Sequence, residues 1–167
     1  MDGTAEAQFR EYVLSRRDIL LREAYLLTGD LHLAEDLVQN TLAKAYVSWY
    51  RVAASERPDA YVRRILINTN ISGARRRRIG ELLTGTPPDT PGHTPDQSTR
   101  VDLLRALAGL PERQRTAVVL RYWADLPEGE VAEIMGCSIG TVRSQSARGI
   151  EKLRVAPTLR PPVPKEA

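Results

Sequence analysis

The stretch between Leu126 and Arg154 constrains the fold more than any other part of this chain. Pro127 suits a first helical turn, because its missing N–H would be unpaired there. Gly136 offers the left-handed backbone conformation that ends a helix, and Ser138 follows as a cap for the next one. Two short helices joined by about three or four residues are typical of a helix-turn-helix.

The second of these helices has two unlike faces. At helical spacing, one face is apolar apart from a single serine; it contains Val142, Ser146, Gly149, Ile150 and Leu153. The opposite face is short, polar and basic; it contains Thr141, Arg143, Ser144, Ala147 and Arg148. Arg addresses guanine edges in a major groove, and Ser or Thr contacts bases or phosphates. The pattern favours a DNA-recognition helix, with two packed helices and a solvated arginine face as the alternative.

Apolar residues recur at helical spacing through the rest of the chain, and no long alternating run indicates a strand. The 167 residues are enough for one medium domain or two small ones. We therefore predict an all-α fold of two small helical domains joined by a flexible linker. The predicted boundaries are 5–80 for the first domain, 81–99 for the linker, 100–155 for the second domain and 156–167 for a disordered, Pro-rich tail.

The charge distribution supports this division. Residues 81–99 contain three acidic and no basic residues, whereas residues 1–80 contain 13 Lys and Arg against 10 Asp and Glu, and residues 100–167 contain 11 against 8. The linker is also rich in Pro, Thr and Gly and has few groups able to fill a core. The net charge of +3 permits nucleic-acid binding without showing it.

Composition argues against several other classes of protein. The lone Cys137 cannot form an intramolecular disulfide, and with only His32 and His93 beside it the chain lacks the ligands of a Cys-based zinc site. We find no phosphate loop, no HExxH motif and no recognisable acid/base pair, so we predict no enzyme activity, no cofactor and no metal. Without a secretory signal or an apolar run of about 20 residues, a cytoplasmic location is expected.

The second predicted helix, residues 31–49, carries a polar group on its outer side. Glu35 and Gln39 are four residues apart, as are Asp36 and Asn40, so the four side chains lie together. A solvated helix face is the ordinary interpretation. Without an interleaved Lys, the same group also suits docking to a basic partner.

The third predicted helix, residues 60–78, is strongly basic and ends in four consecutive arginines. Such a run can simply complement the helix dipole and improve solubility. Beside a second basic module, contact with nucleic-acid phosphates is favoured.

The order of these pieces resembles the extracytoplasmic-function (ECF) sigma factors of bacterial RNA polymerase over residues 7–155. The segment AEDLVQNTLAKAYVSW at 34–49 is similar to the polymerase-docking helix of region 2, and RPDAYVRRILINTNISGARRRR at 57–78 is similar to the promoter-melting helix. The most specific match is LAGLPERQRTAVVLRYWADLPEGEVAEIMGCSIGTVRSQSARGIEKLR at 107–154, which resembles region 4. The segment SQSARG is most similar to an actinobacterial SigE-like subgroup of the family.

Two residues depart from the pattern of the family. Asn40 stands where many members carry Glu, which weakens one expected contact with the polymerase. Ser146 stands where many members carry an apolar residue, which loosens the recognition helix or shifts its packing onto Ala147.

The resemblance implies a protein that binds core RNA polymerase and directs promoter-specific transcription initiation at −35 and −10 elements. The residues expected to dock on the β′ clamp are Glu35, Asp36, Gln39 and Asn40. Those expected at the −10 element, with Asn68 holding an unstacked base, are Arg64, Asn68, Thr69, Asn70, Arg75, Arg76, Arg77 and Arg78. Those expected to read the −35 element are Arg143, Ser144 and Arg148, with Ser138, Thr141 and Arg115 on the DNA backbone. Further implied partners are the β flap of the polymerase, promoter DNA and an anti-sigma factor.

Two other functions remain open from the residues. LuxR-type response regulators end in a similar four-helix module and bind operators tightly without polymerase, usually as dimers. A protein that sequesters another factor would leave Asn68 and Arg148 unimportant. For a sigma factor we expect weak promoter binding by the free chain, because the tether leaves the spacing of the two domains undefined.

Overall fold

The computed structural model describes residues 2–85 and 98–159, and these segments contain helices and no strand. The all-α prediction is confirmed. In chain order the helices are α1 (Gly3–Thr28), α2 (Leu31–Val47), α3 (Trp49–Ala53), α4 (Pro58–Thr84), α5 (Ser98–Ala108), α6 (Glu112–Val118), α7 (Glu128–Met135) and α8 (Ile139–Val155). A short 3₁₀ turn at Pro157–Leu159 follows.

Local signals in the sequence set two short joins between helices. Gly29 ends α1 with φ of 71°, and the Asp30 carboxylate then accepts from the backbone N–H of Leu33 at 2.9 Å. In the same way Gly136 ends α7 with φ of 63°, and Ser138 caps α8. Both joins place a glycine in the left-handed region one or two residues before a capping side chain, as the sequence predicted.

Helix α4 is longer than the sequence indicated. It continues past the arginine run to Thr84 and stops at Gly85, which has φ of 64°. The first residues assigned to the linker, 81–84, are therefore helical, because Gly80 sits in a continuing helix and Gly85 supplies the stop. Residues 86–97, which hold most of the predicted linker, lie outside the described residues, and so does 160–167 of the predicted tail.

Helix α6 widens into a π-helical turn at Val119–Trp123 before the chain reaches α7. Asp125 follows with φ of 52°, the one non-glycine residue with positive φ in the described segments. The carbonyl of Leu126 accepts from the Arg121 guanidinium, which fixes this turn. The widened turn, which precedes α7, was not predicted from the sequence.

The first domain is built on α1, α2 and α4, with α3 closing one end. Aromatic rings of Phe9 and Trp49 meet edge to face with centroids 5.2 Å apart, and Tyr12 packs beside them. Deeper in the domain, the Arg63 guanidinium of α4 forms an ion pair with the Glu23 carboxylate of α1, with N···O distances of 2.7 to 3.1 Å. Glu23 is only 1% exposed, so this ion pair is part of the core.

In the second domain α8 packs against α6 at very close range. A Cβ placed on Gly149 would lie 2.5 Å from Cγ2 of Val118 and 3.3 Å from the carbonyl oxygen of Gln114. Only a residue without a side chain allows this approach. The glycine therefore fixes where the recognition helix sits on its support.

The two domains pack directly against each other, so the spacing between them is defined. The expectation that the linker leaves this spacing undefined is wrong for the packed structure. Buried residues of both domains form one continuous apolar cluster, in which α7 lies against α4 and α5 against α1. Ile67 and Ile71 of α4 line a space shared with Thr116 and Met135 of the second domain. The polar composition of the linker does not reveal that α4, the helix before it, has an apolar face that contacts the second domain.

Candidate nucleic-acid interface

The recognition helix α8 presents the predicted face to solvent. Arg143, Ser144, Ala147 and Arg148 are exposed, while Val142, Ser146 and Gly149 are buried. The Ser138 hydroxyl caps the helix by accepting from the backbone N–H of Thr141 at 3.1 Å, and the two hydroxyls are 2.9 Å apart. Arg143 is held by the Glu128 carboxylate of α7 at 2.7 Å. Both elements of the helix-turn-helix therefore contribute to one polar surface.

Ser146 does not shift the packing onto Ala147, which corrects one of the two sequence alternatives. Ser146 is 5% exposed, and its hydroxyl donates to the Val142 carbonyl at 2.6 Å, whereas Ala147 is exposed. A serine in a helix interior can satisfy its hydroxyl on the carbonyl four residues back. The buried position therefore accepts the serine.

On the first domain, Arg64 and Asn68 lie one turn apart on the same exposed face of α4. They line a cleft of about 600 Å³ whose opposite wall is formed by Glu133 and Ile134 of α7. The cleft thus lies between the two domains. It places an arginine and an amide side by side, which together offer hydrogen-bond donors and an acceptor to a base or a phosphate.

Thr69 and Asn70, the other two members predicted for this surface, point inward. Thr69 is 7% exposed and its hydroxyl accepts from Nζ of Lys44 at 3.0 Å. Asn70 is 5% exposed, and its amide lies 3.5 Å from the Glu112 carboxylate of the second domain. In this arrangement neither side chain is available to DNA.

Arg115 is also engaged within the protein. Its guanidinium donates to the Leu107 carbonyl at 2.9 Å, to the Leu110 carbonyl at 3.0 Å and, across the domain boundary, to the Leu27 carbonyl at 2.7 Å. Burial lowers its pKa from the ordinary value of an arginine. The predicted contact of Arg115 with the DNA backbone requires these bonds to be released.

The remaining predicted residues lie at the surface. The four arginines at 75–78 are all exposed on α4, beyond the region that the second domain covers. On α2 the side chains of Asp36, Gln39 and Asn40 are exposed, and Glu35 is half-buried beside them. Neither Glu35 nor Asp36 makes an ion pair with another residue in the ranges 2–85 and 98–159.

Sequence reasoning missed three residues of these surfaces. Arg57 and Tyr61 line the cleft beside Arg64 and Asn68, and Lys44 reaches α4 from α2. The spacing of residues 57, 61, 64 and 68 follows one face of a helix and was a usable signal. Lys44 carried no such signal, because its partner lies 25 residues away.

Comparisons with known proteins identify the family of the two domains. The family model for Sigma-70 region 2 matches residues 13–79, and the model for Sigma-70, region 4 matches residues 100–153. The RNA polymerase sigma-E factor of Streptomyces coelicolor is 38% identical over 149 residues, covering 88% of this chain and 84% of the relative. The ECF RNA polymerase sigma factor SigE of Mycolicibacterium smegmatis is 34% identical over 164 residues, covering 92% and 63%.

A solved structure is similar over nearly the whole chain. It is the sigma factor RpoE in complex with the anti-sigma factor NepR from Bartonella quintana, with 26% identity, a TM-score of 0.75 and coverage of 92% of this chain and 99% of that one. CnrH in complex with the cytosolic domain of CnrY shares the fold, with a TM-score of 0.62 at 22% identity, over 89% and 86% of the two chains.

The two matched regions and the helical fold define the class, a sigma-70-type protein with promoter-recognising function. The chain belongs to the ECF sigma factors, and its relatives place it with the actinobacterial SigE-like members. In the described residues we find no helix with the length and apolar character of a membrane span. Those residues also contain no cluster of three His, Cys, Asp or Glu side chains arranged to hold a metal ion.

Proposed function

We propose that this sigma factor binds core RNA polymerase through α2 and recognises promoter DNA through α4 and α8. The main observation in support is that α8 has two unlike faces. Val142, Ser146 and Gly149 are buried on one face, while Arg143, Ser144 and Arg148 are exposed on the other. A helix held firmly on one side with arginines and a serine on the other suits a major groove. We assign these three exposed residues to the −35 element, with Ser138 and Thr141 near the DNA backbone.

The −10 element is assigned to the cleft face of α4. Asn68, with Arg64 one turn away, would hold an unstacked base, because an amide offers both a donor and an acceptor. The exposed arginines at 75–78 would neutralise phosphates further along the same strand. Asn70 would join this surface if Glu112 of the second domain moved away from it, whereas Thr69 is bonded to Lys44 within the first domain.

The partners follow from these surfaces. The exposed acidic and amide group on α2 would dock on the clamp of the β′ subunit, and the second domain would contact the β flap. Binding to the polymerase places the action of the protein in the cytoplasm. Since RpoE was solved with an anti-sigma factor, we also propose an anti-sigma partner for this chain.

Run-off transcription with purified core polymerase tests the function directly. We expect initiation from a defined start site only when the chain is added. A stand-alone regulator of the LuxR type would instead bind its operator without polymerase and give no transcript. Tight, specific promoter binding by the free chain would contradict the proposed dependence on polymerase.

Replacing Asp36 and Gln39 together by alanine should weaken binding to core polymerase by at least about tenfold. Charged and polar groups at an interface align the two binding surfaces and raise the rate of association. Both side chains are exposed, so the fold should be unaffected. The matched control changes Gln8 and Asp18, which are exposed on α1 and not on α2. Fluorescence anisotropy with labelled protein measures both. Equal affinity of the two double variants would contradict the docking assignment.

Replacing Arg148 by alanine should reduce transcription from promoters with an intact −35 element by roughly 10- to 100-fold, the effect of losing one specific base contact. Transcription from the same start site with the −35 element scrambled should fall much less between parent and variant. Arg17→Ala on α1 removes the same charge elsewhere and serves as the control. If Arg148→Ala lowers both promoters equally, the side chain contacts phosphate and does not read sequence.

A further inference from the structure

We propose that the end of α4 is a membrane-binding segment, which lies on the surface of a bilayer that contains anionic lipid. The segment is residues 75–84, and we call it the α4 tip. It combines four consecutive arginines with three exposed apolar side chains, those of Ile79, Leu82 and Leu83. Contacts with promoter phosphates use the arginines alone and leave these apolar side chains without a role.

The α4 tip lies outside the core of the first domain. The last buried residue of α4 is Asn70, and residues 75–84 are all exposed except the half-buried Gly80. Leu82 and Leu83 are 81% and 82% exposed. Single exposed apolar residues are common on soluble proteins, whereas contiguous ones indicate an interaction surface. The question is therefore whether these side chains lie together.

The three apolar side chains share one face of the α4 tip. Leu82 follows Ile79 by three residues and Leu83 follows it by four, which places all three on the same side of the helix. Glu81, the one acidic residue in the sequence from 75 to 84, is two positions from both Ile79 and Leu83 and so lies on the opposite side. The tip is therefore an amphipathic end of a helix.

The arginines lie next to this apolar face. Arg75 is one turn before Ile79, and Arg78 is one turn before Leu82. None of the arginines at 75–78 forms an ion pair with another residue in the ranges 2–85 and 98–159. An arginine can lay its methylene groups on an apolar layer while its charge stays in water. The tip thus offers positive charge and apolar surface side by side.

An anionic bilayer matches both properties of the α4 tip. Its headgroups carry phosphates for the arginines, and an amphipathic helix buries its apolar face about 5–10 Å into the boundary of the acyl chains. Clusters of about four to eight Lys or Arg on such a helix are typical of binding to anionic lipid. A DNA duplex offers phosphates without the apolar layer. A second copy of the tip would place arginines against arginines, which is unfavourable across an interface.

Membrane binding would compete with promoter binding. The arginines at 75–78 are also the residues proposed to neutralise promoter phosphates, so a tip that lies on a bilayer cannot hold DNA. This consequence rests on the proposed function, whereas the membrane contact itself does not. A membrane-bound fraction of the sigma factor would be withheld from promoters.

Vesicle flotation with the full chain tests the membrane contact. One vesicle preparation is phosphatidylcholine alone, and the other is phosphatidylcholine and phosphatidylglycerol in equal parts. We expect the chain to float with the anionic vesicles only, and less at high salt, because screening weakens the arginine contacts. Leu82→Ala combined with Leu83→Ala should lower the partition coefficient at least about tenfold, since it removes apolar surface that the bilayer would bury.

Leu14→Ala combined with Val47→Ala is the matched control. These two side chains are 81% and 82% exposed, like those of the tip, but they lie on α1 and α2. The control variant should partition like the parent. Alanine is the strongest helix former, so neither variant should lose helix, and circular dichroism checks this.

Loss of binding to anionic vesicles by the tip variant, with binding kept by the control variant, supports the membrane contact. Equal partition of the two variants, or a parent that does not float, overturns it. If the parent does not float and the tip variant has lost affinity for a short DNA duplex without a promoter, the apolar face serves nucleic-acid binding instead, which also overturns it.

Run-off transcription separates the membrane contact from the proposed function. Without vesicles, the tip variant should initiate at the rate of the parent. Anionic vesicles should reduce initiation by the parent and not by the tip variant. A parent that floats but transcribes equally with and without these vesicles would overturn the competition with promoter DNA. A parent that gives no transcript at all would refute the proposed function and leave the flotation result intact.

Discussion

Replacing Gly149 by valine should destabilise the second domain by about 3 kcal/mol, the upper end of the usual range for overpacked cores. The new Cβ would lie 2.5 Å from Cγ2 of Val118 and 3.3 Å from the backbone carbonyl of Gln114. Val118 is β-branched and 5% exposed, so it cannot rotate away freely. A loss of this size is a large part of the stability of a domain this small.

Gly140→Val on the same helix is the matched control. A Cβ there meets only the Ser138 hydroxyl oxygen, at 3.8 Å, which is an ordinary contact. Because valine favours a helix over glycine, the control should be as stable as the parent or slightly more stable. Urea denaturation followed by circular dichroism measures both free energies of unfolding. Equal stability of the two valine variants would show that α8 has room to move away from α6.

Replacing Arg63 by alanine should cost about 3 to 5 kcal/mol of stability in the first domain, because it leaves the buried Glu23 carboxylate without its partner. The Arg63 side chain is 14% exposed and that of Glu23 is 1% exposed. Arg16→Ala breaks the Arg16–Asp59 pair, which is 44% and 36% exposed, and should cost less than about 1 kcal/mol. Similar losses for the two variants would contradict a structural role of the buried pair.

The destabilisation of Arg63→Ala should depend on pH. Burial already raises the pKa of Glu23, and Arg63 lowers it in part, so removing Arg63 raises it further. A carboxyl whose pKa is higher in the folded state contributes stability at low pH that is lost as the pH rises through that value. The deficit of the variant relative to the parent should therefore be smallest below pH 4.5, the ordinary pKa of the carboxyl, and grow as the pH rises above it. A variant with leucine at both Arg63 and Glu23 should lose the contribution of Glu23 to the pH dependence of its own stability.

Much of the fold follows from local signals. The glycines at 29 and 136, each followed by a capping Asp or Ser, marked two helix joins correctly because caps depend only on neighbouring residues. The buried and exposed faces of α8 followed from helical spacing alone. The burial of Glu23 could also have been predicted, because it lies on the same face of α1 as Leu20 and Leu27. Its pairing with Arg63 could not.

What the sequence could not predict depends on distant residues. Arg115 looked like a surface arginine near DNA, yet it binds a carbonyl 88 residues away. Asn70 looked like a DNA contact, but a glutamate of the second domain lies against it. Both outcomes depend on how two domains pack across a linker, and no local spacing encodes that. The docking and DNA-binding assignments remain predictions.

The two tryptophans of the chain are divided between the domains and differ in environment. Trp49 is 4% exposed among the aromatic rings of the first domain, whereas Trp123 is 42% exposed at the π-helical turn of the second. Emission from a buried indole is blue-shifted relative to one in water. Replacing either residue by phenylalanine would therefore leave a native optical reporter for one domain at a time, without any attached dye.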